Sequence, residues 1–209
     1  YGNRAGVAFL TQSLGRKLSF DLNSQKKLIF SVSVKRCSWA DPSKPLDLSY
    51  HDKEWGVPVT NDNSLFEQLS LEGAQAGLSW STVLKKRECY RVVFHQFSIV
   101  KVSLLLPSDI DVFMQNAGLI RHRGKLESVV SNAHVFAEIQ REHGSFYNYV
   151  LDVLCGLSLE NSAAVLSQRL KSLGFSFVGP TIVESFLLAA GFWNGHDQDC
   201  FRRSEIEAL

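Results

Sequence analysis

The stretch Leu173-Gly174-Phe175-Ser176-Phe177-Val178-Gly179-Pro180-Thr181 joins the end of one predicted helix to the start of another. Its two glycines allow a tight turn in which the backbone can approach a partner closely. Backbone amides at the start of the second helix point outward and can hold a phosphate. We predict a helix-hairpin-helix that contacts DNA, with an ordinary tight turn between two helices as the alternative. The predicted contacts are Gly174, Val178, Gly179 and Thr181.

The rest of the chain from Cys37 onward also has a helical pattern. Capping residues precede apolar residues at i, i+3, i+4 and i+7 spacing, and no stretch shows the sustained alternation of a strand. Predicted helix starts are Asn63-Ser64, Ser79 or Ser81, Pro107-Ser108, about Leu126, Ser145, Asn161-Ser162 and Thr181. The predicted ends include Gly118, Gly144, about Leu154, Leu173 and Gly191. The sequence therefore predicts an all-α fold.

Two Cys and two His near the two ends of this helical part have the composition of a metal site. Cys37 and His51 lie at its start, and His196 and Cys200 lie near its end in His-x3-Cys spacing. In a helical stretch, that spacing would place both ligands on one face. Two Cys and two His complete a tetrahedral zinc site with no open position, which would be structural. Spacing alone leaves open an arrangement without metal.

An acidic residue in an apolar helix lies among aromatic residues of the sequence. Glu72 is next to Gly73 and has Trp39, Tyr50, Trp55 and Trp80 as its aromatic neighbours along the chain. An acid in that position should face a cavity or a partner. Aromatic faces and a carboxylate together suit a flat cationic ligand. The alternative is a core of Trp residues with Glu72 in solvent.

A basic loop, Arg121-His122-Arg123-Gly124-Lys125, opens another predicted helix. Arg121, Arg123 and Lys125 suit contact with phosphates, although a solvated turn would have the same composition.

Composition and charge limit the class of protein further. The chain of 209 residues is 45% hydrophobic, which is enough to bury a core, and no apolar run approaches the roughly 20 residues of a membrane span. Residues 1–36 carry a net charge of +6, whereas the remainder carries −5. We therefore expect a basic extension over 1–36, either an organelle transit peptide or a disordered tail, and one domain over 37–209. DNA binding then requires Lys and Arg concentrated on one face.

Four cysteines at scattered spacings do not suggest a disulfide framework, which favours a reducing compartment. We expect an intracellular protein, located in the nucleus, a plastid or a mitochondrion if the extension is a transit peptide, and otherwise in the cytoplasm.

Taken together, these motifs resemble the 3-methyladenine DNA glycosylase I (Tag) family from about Cys37 to Cys200. The matching segments occur in order along the chain. They are Cys37-x-Trp39, Tyr50-His51-Asp52-x-Glu54-Trp55-Gly56, Leu71-Glu72-Gly73-x-Gln75-Ala76-Gly77-Leu78-Ser79-Trp80, Val83-Leu84-Lys85-Lys86-Arg87, Ile120-Arg121-His122-Arg123-Gly124-Lys125 and Gly174-Phe175-x-Phe177-Val178-Gly179-Pro180-Thr181. So many ordered matches are highly specific.

The resemblance implies a helix-hairpin-helix glycosylase fold and assigns a role to each motif. It implies a structural Zn²⁺ on Cys37, His51, His196 and Cys200, contact of Glu72 and Tyr50 with the excised base, and a pocket lined by Trp39 and Trp80. Asn194 aligns with the catalytic Asp of related glycosylases. One departure is Asp47 or Leu46, at a position where the family usually has a Tyr that helps to enclose the base.

The implied activity is hydrolysis of the N-glycosidic bond of 3-methyladenine in double-stranded alkylated DNA by a monomer. We identify no Lys nucleophile near the hairpin, so we expect no strand cleavage. Two alternatives remain, a non-catalytic zinc-stabilised DNA-binding module and a glycosylase for other alkylated purines.

Overall fold

The computed structural model describes residues 34–209, which form one compact unit. Within this range the regular secondary structure is entirely helical, which confirms the predicted all-α class for these residues. The helices are α1 (Pro45–Lys53), α2 (Asp62–Gln75), α3 (Trp80–Val93), α4 (Ile99–Val102), α5 (Pro107–Phe113), α6 (Arg123–His143), α7 (Phe146–Leu154), α8 (Leu159–Ser172), α9 (Pro180–Ala189) and α10 (Phe201–Glu207). The extension predicted for residues 1–36 lies largely outside the described residues. No described helix is both long and apolar enough to cross a bilayer.

Side-chain caps determine where several helices begin. Ser79 accepts a hydrogen bond from the Thr82 amide at the start of α3, and Ser145 caps α7 in the same way. Both positions were predicted, as was the end of α6 at Gly144, whose φ of +78° favours glycine. Helix α2 starts at Asp62, slightly before the predicted Asn63-Ser64, because Asn61 is the residue whose side chain caps it.

Three helices were missed, and the two ends of the domain account for two of them. Helices α1 and α10 lack a continuous apolar stripe, and α4 has only four residues, so periodicity does not predict them. The segment from His196 to Cys200 was expected to be helical, but it is a turn, and Cys200 only precedes α10. The two ligands share a side of this turn rather than a helix face. Helix α5 ends at Phe113, before the predicted Gly118.

Helix α2 lies at the centre of the domain and packs against α3, α6, α7 and α9. Phenylalanine rings fill the space around it: those of Phe66 and Phe136 are 5.3 Å apart in an edge-to-face arrangement, and those of Phe136 and Phe146 are stacked 3.9 Å apart. Burial of each such side chain contributes roughly 1.5–3 kcal/mol. Helix α2 also packs along α9, and Glu72 on α2 is buried.

The turn between α8 and α9 is held from two sides. Asn132 on α6 accepts a hydrogen bond from the Ser176 amide at 2.9 Å and donates one to the Ser176 carbonyl at 3.0 Å. On the other side, a Cβ at Gly73 would lie 3.2 Å from both the Cβ and the carbonyl oxygen of Phe177. Glycine at position 73 therefore allows the turn to pack directly on α2.

Candidate active site

A cavity of about 260 Å³ opens between α1, α2, α3 and α9. It brings together all four residues that were predicted to contact or enclose a base. Its lining is Trp39, Tyr50, Trp55, Glu72, Gln75, Trp80, Ser185 and Leu188. The volume lies near the lower limit of small-molecule sites, about 300 Å³, and suits a single planar ring system.

Aromatic rings form most of the wall of this cavity. Tyr50 and Trp80 have ring centroids 5.1 Å apart, and the centroids of Trp39 and Trp55 are 5.0 Å apart in an edge-to-face arrangement. Tyr50 is buried, whereas Trp39 is 38% exposed. The rings thus provide a largely apolar recess whose π faces attract positive charge.

Glu72 is the acidic group of the cavity. Its side chain is 5% exposed, and no described residue donates a hydrogen bond to its carboxylate. Burial raises the pKa of Glu72 to about 8, and burial and Glu72 together raise the pKa of the Tyr50 phenol well above its ordinary value. An ionised carboxylate here is costly unless a cation accompanies it. A cation bound in this cavity would compensate the burial of the carboxylate.

Four lining residues received no role from the sequence: Trp55, Gln75, Ser185 and Leu188. Trp55 was noted only as part of the aromatic group. Gln75 follows Glu72 by three residues, so helical spacing could have placed it on the same side of α2. Ser185 and Leu188 lie on α9, more than 100 residues further along the chain, and no local pattern connects them to Glu72.

A second cavity of about 190 Å³ continues from Glu72, Gln75 and Ser185 towards the α8–α9 turn. Leu78 and Thr181 lie at its edge. Leu78 is 40% exposed although it is a large apolar residue at the tip of the turn between α2 and α3. Sequence reasoning gave it no role beyond its place in a family motif.

The predicted DNA contacts in the α8–α9 turn differ in accessibility. Gly174 and Thr181 are exposed, and Gly179 immediately precedes α9. Val178 is buried, and its carbonyl accepts a hydrogen bond from Ser167. The side chain of Val178 therefore cannot reach DNA, and only its backbone amide remains as a possible contact.

The basic loop contains three cations in three different environments. Arg121 is exposed, and Arg123 is exposed but forms ion pairs with Asp111 and Glu127. Lys125 is buried, and its ammonium donates to the carbonyl oxygens of Ala74 at 2.9 Å and Ala76 at 2.5 Å.

The prediction that Lys125 contacts phosphate is therefore wrong. The last carbonyls of a helix lack partners within it, and Lys125 supplies a donor at the end of α2. Burial also lowers the pKa of Lys125.

Cys37, His51, His196 and Cys200 form a buried cluster with ligand atoms all within 4.8 Å of one another. The Sγ atom of Cys200 is 3.4 Å from Nε2 of His51 and 3.5 Å from Nδ1 of His196. Ligand atoms around a tetrahedral zinc ion are about 3.4–3.8 Å apart. The cluster can therefore hold a metal ion, and its donor set fits zinc.

The outward nitrogens of both histidines have partners that orient the rings. Asp52 lies 2.8 Å from Nδ1 of His51 and forms a salt bridge with Arg36, and the carbonyl of Trp55 is 3.2 Å from Nε2 of His196. Burial is the main cause that lowers the pKa of His196, which favours the neutral imidazole that binds metal. Arg36, which we assigned to the extension, belongs to this compact part of the chain.

Asn194 lies beside this cluster and is not part of the cavity wall. Its amide donates to the carbonyl of Arg203 at 3.0 Å and accepts from the His196 amide at 3.1 Å. Both ends of the Asn194 side chain are thus used to hold the backbone around the cluster.

Comparison with known proteins gives consistent matches. The sequence model of a family described as Methyladenine glycosylase matches residues 39–203. DNA-3-methyladenine glycosylase 1 of Escherichia coli (strain K12) is 43% identical over 180 residues, covering 80% of this chain and 96% of that protein.

Two solved structures are similar over the same extent. A crystal structure of 3-methyladenine DNA glycosylase I (TAG) matches with a TM-score of 0.75 and 42% identity, covering 80% of this chain and 98% of that one. A structure of the Staphylococcus aureus enzyme, concerned with the structural basis of 3-methyladenine recognition, has a TM-score of 0.75 and 36% identity and covers 80% and 96%. The similarity therefore spans nearly the full length of each relative.

Proposed function

The chain belongs to the methyladenine glycosylase family, and on this premise we propose that it is a monofunctional glycosylase that hydrolyses the N-glycosidic bond of 3-methyladenine in alkylated DNA. The observation that carries the proposal is the buried, unpartnered carboxyl group of Glu72 in a cavity walled by aromatic rings. Methylation at N3 gives the adenine of a nucleotide a positive charge. A cation of that shape compensates the burial of the carboxylate, whereas neutral adenine does not.

The base must leave the duplex to reach this cavity. Flipping costs a few kcal/mol and costs least for weakly paired, damaged bases. The amides at the start of α9 and the exposed Arg121 are suited to hold phosphates, and the exposed apolar side chain of Leu78 is suited to fill the gap left in the base stack. We propose that the chain acts on double-stranded DNA as a monomer, with α8 and α9 as a helix-hairpin-helix.

Within the cavity, binding and orientation account for most of the catalysis. Tyr50 and Trp80 enclose the base, Trp39 lies at the opening, and Glu72 accepts hydrogen bonds from the base. As the bond between the sugar C1′ and the base breaks, its electron pair goes to the base and neutralises it. Water adds to C1′ and loses a proton. A cationic base is already a good leaving group, which explains why Asn194 can serve the backbone instead of the reaction.

We propose that zinc is the metal of the Cys/His cluster and that its role is structural. The four protein ligands leave no coordination position for substrate. When bound, the ion would join the segment of Cys37 and His51 to that of His196 and Cys200, and it would support the pocket through their neighbours.

The proposal is tested by measuring release of 3-methyladenine from methylated duplex DNA. We expect Glu72→Gln to lower kcat/KM at least 100-fold, on the scale of about 2.7 kcal/mol of transition-state binding, while its fold and metal content remain unchanged. Glu138→Gln is the matched control, because Glu138 is exposed on α6 and does not line the cavity.

Identification of the released bases separates the alternatives. Release of 3-methylguanine or 7-methylguanine in place of 3-methyladenine would redefine the substrate, and duplex binding without any release would indicate a non-catalytic module. Wild-type activity in Glu72→Gln would refute the role of this carboxyl group.

A further inference from the structure

The junction between α1 and α3 contains a buried carboxyl group that the proposed chemistry does not use. Asp47 is 6% exposed, and the hydroxyl of Ser81 donates a hydrogen bond to its Oδ2 atom at 2.5 Å. The Oδ1 atom is also buried and has no hydrogen-bond partner among the described residues. Burying a carboxyl group with one oxygen unpaired costs free energy, so this residue is not explained by stability alone.

The two partners of this hydrogen bond each lie next to one wall of the cavity. Asp47 precedes Tyr50 by three residues in α1, so the two side chains share a face of the helix. Ser81 directly follows Trp80 in α3, and the rings of Tyr50 and Trp80 are 5.1 Å apart. The Asp47–Ser81 hydrogen bond therefore connects the helices that carry these two contacting rings.

Helix α1 has little else to fix its first turn. Lys44 provides no side-chain cap, and Leu46 is 51% exposed. The buried side chains of α1 are Asp47, Tyr50 and His51, and His51 is anchored by the Cys/His cluster. On the outer side of the junction, Asp47 and Ser81 line a separate cavity of about 210 Å³, which gives α1 room to shift if the bond is lost.

We propose that Asp47 is a positioning residue for the base pocket: through Ser81 it holds the Tyr50 ring in the tilted contact with Trp80 that shapes this part of the pocket wall. This inference rests on the proposed function, because it concerns the same pocket. Asp47 is also one of the two residues, with Leu46, at which we expected the sequence to depart from the usual family pattern. Asp47 does not line the pocket and acts on the base only through its neighbours.

The test is a double-mutant cycle with Asp47→Ala, Ser81→Ala and the double variant, assayed for 3-methyladenine release. A small misplacement of a binding group can cost up to about 100-fold. We expect each single change to lower kcat/KM by about 10- to 100-fold, mainly through KM, and the double variant to be no worse than either single one. Asp47→Asn keeps an acceptor for Ser81 and should restore most of the activity. Asp152→Ala, at an exposed carboxylate on α7, is the control.

Two results would overturn the proposal: wild-type kcat/KM in folded Asp47→Ala, or losses that multiply in the double variant. Near-ultraviolet circular dichroism of the ligand-free proteins tests the geometry independently of catalysis, because it reports the fixed packing of Tyr and Trp rings. We expect a changed aromatic spectrum in Asp47→Ala and a wild-type spectrum in Asp47→Asn; an unchanged spectrum in Asp47→Ala would also count against the proposal. If the wild-type protein released no base, the proposed function would be refuted. The spectra would still show whether Asp47 positions the aromatic rings.

Discussion

Tyr50 and His51 are neighbours on α1, but they belong to two regions that differ in whether the buried polar groups have hydrogen-bond partners. In the Cys/His cluster, the outward nitrogens of His51 and His196 have partners in Asp52 and Trp55. In the base cavity, Glu72 is also buried, but no described group hydrogen-bonds to it. Buried polar groups are normally satisfied, so the unsatisfied one indicates where a ligand is expected and the satisfied cluster indicates a structural role.

The two regions also share a wall. The rings of Trp39 and His51 are 5.3 Å apart and those of Trp55 and His196 are 4.6 Å apart, and both Trp residues line the cavity. Damage to the cluster should therefore reach the pocket, whereas damage to the pocket should leave the cluster intact.

Among changes to the two regions, loss of a ligand in the Cys/His cluster should have the largest effect on stability. We expect Cys200→Ser to lower the free energy of unfolding by about 5 kcal/mol or more, because binding of a structural metal contributes directly to folding. Guanidinium unfolding and metal analysis measure the effect. Cys155→Ser, at an exposed cysteine, should be neutral. Full stability and a retained metal ion in Cys200→Ser would contradict a structural metal site.

The pocket should respond to pH in a way that the cluster does not explain. The native carboxyl group of Glu72 keeps its proton up to about pH 8, whereas in the unfolded chain it ionises near 4.5. Between these values the unfolded state binds fewer protons, so stability falls as pH rises, by on the order of 4–5 kcal/mol in total. Glu72→Gln should remove this part of the pH dependence. Parallel wild-type and variant curves from pH 5 to 8 would show that Glu72 ionises normally.

Lys125 and Arg121 test the difference between a cation that donates its hydrogen bonds within the protein and one that is exposed and can contact phosphate. Lys125→Met leaves the carbonyls of Ala74 and Ala76 without their donor and should destabilise the protein by about 1–3 kcal/mol. The slope of log K for DNA binding against log salt should not change. Arg121→Ala should instead reduce that slope by about 0.9, with little effect on stability. A similar reduction of the slope in Lys125→Met would restore the phosphate role.

The smallest effect is expected at Asn194. Asn194→Asp removes the donor to the Arg203 carbonyl and should cost about 1 kcal/mol, with kcat/KM within twofold of the wild type. Unfolding and base-release assays measure the two quantities. A clear gain in kcat/KM would mean that a carboxylate at this position can take part in the reaction.

Sequence predicted the fold best where local signals were complete. The helices that begin at Ser79 and Ser145 have a cap that acts within the first turn, so both starts could be predicted. Helices α1 and α10 lack such a pattern. They are brought together by the cluster residues at the two ends of the domain, and this long-range arrangement leaves no periodic signal.

The candidate site shows the same division. Glu72 and its aromatic neighbours were found because a buried acid among rings is unusual and because a family motif contains them. Ser185 and Leu188 join them only through the packing of α9 on α2. Lys125 was misassigned because the sequence of a basic loop does not show whether a given cation faces solvent or donates to the carbonyls at the end of a helix.

Gly73 has a consequence for how damage is found. The α8–α9 turn lies so close to α2 at Gly73 that even a Cβ there would be only 3.2 Å from Phe177, and the neighbouring residue is Glu72. The part of the protein suited to track the backbone of DNA and the part suited to inspect a base therefore move as one piece. We therefore expect the damaged nucleotide, rather than part of the protein, to move when a lesion is found. The ease with which a base leaves the DNA duplex would then be the first property that selects what is repaired.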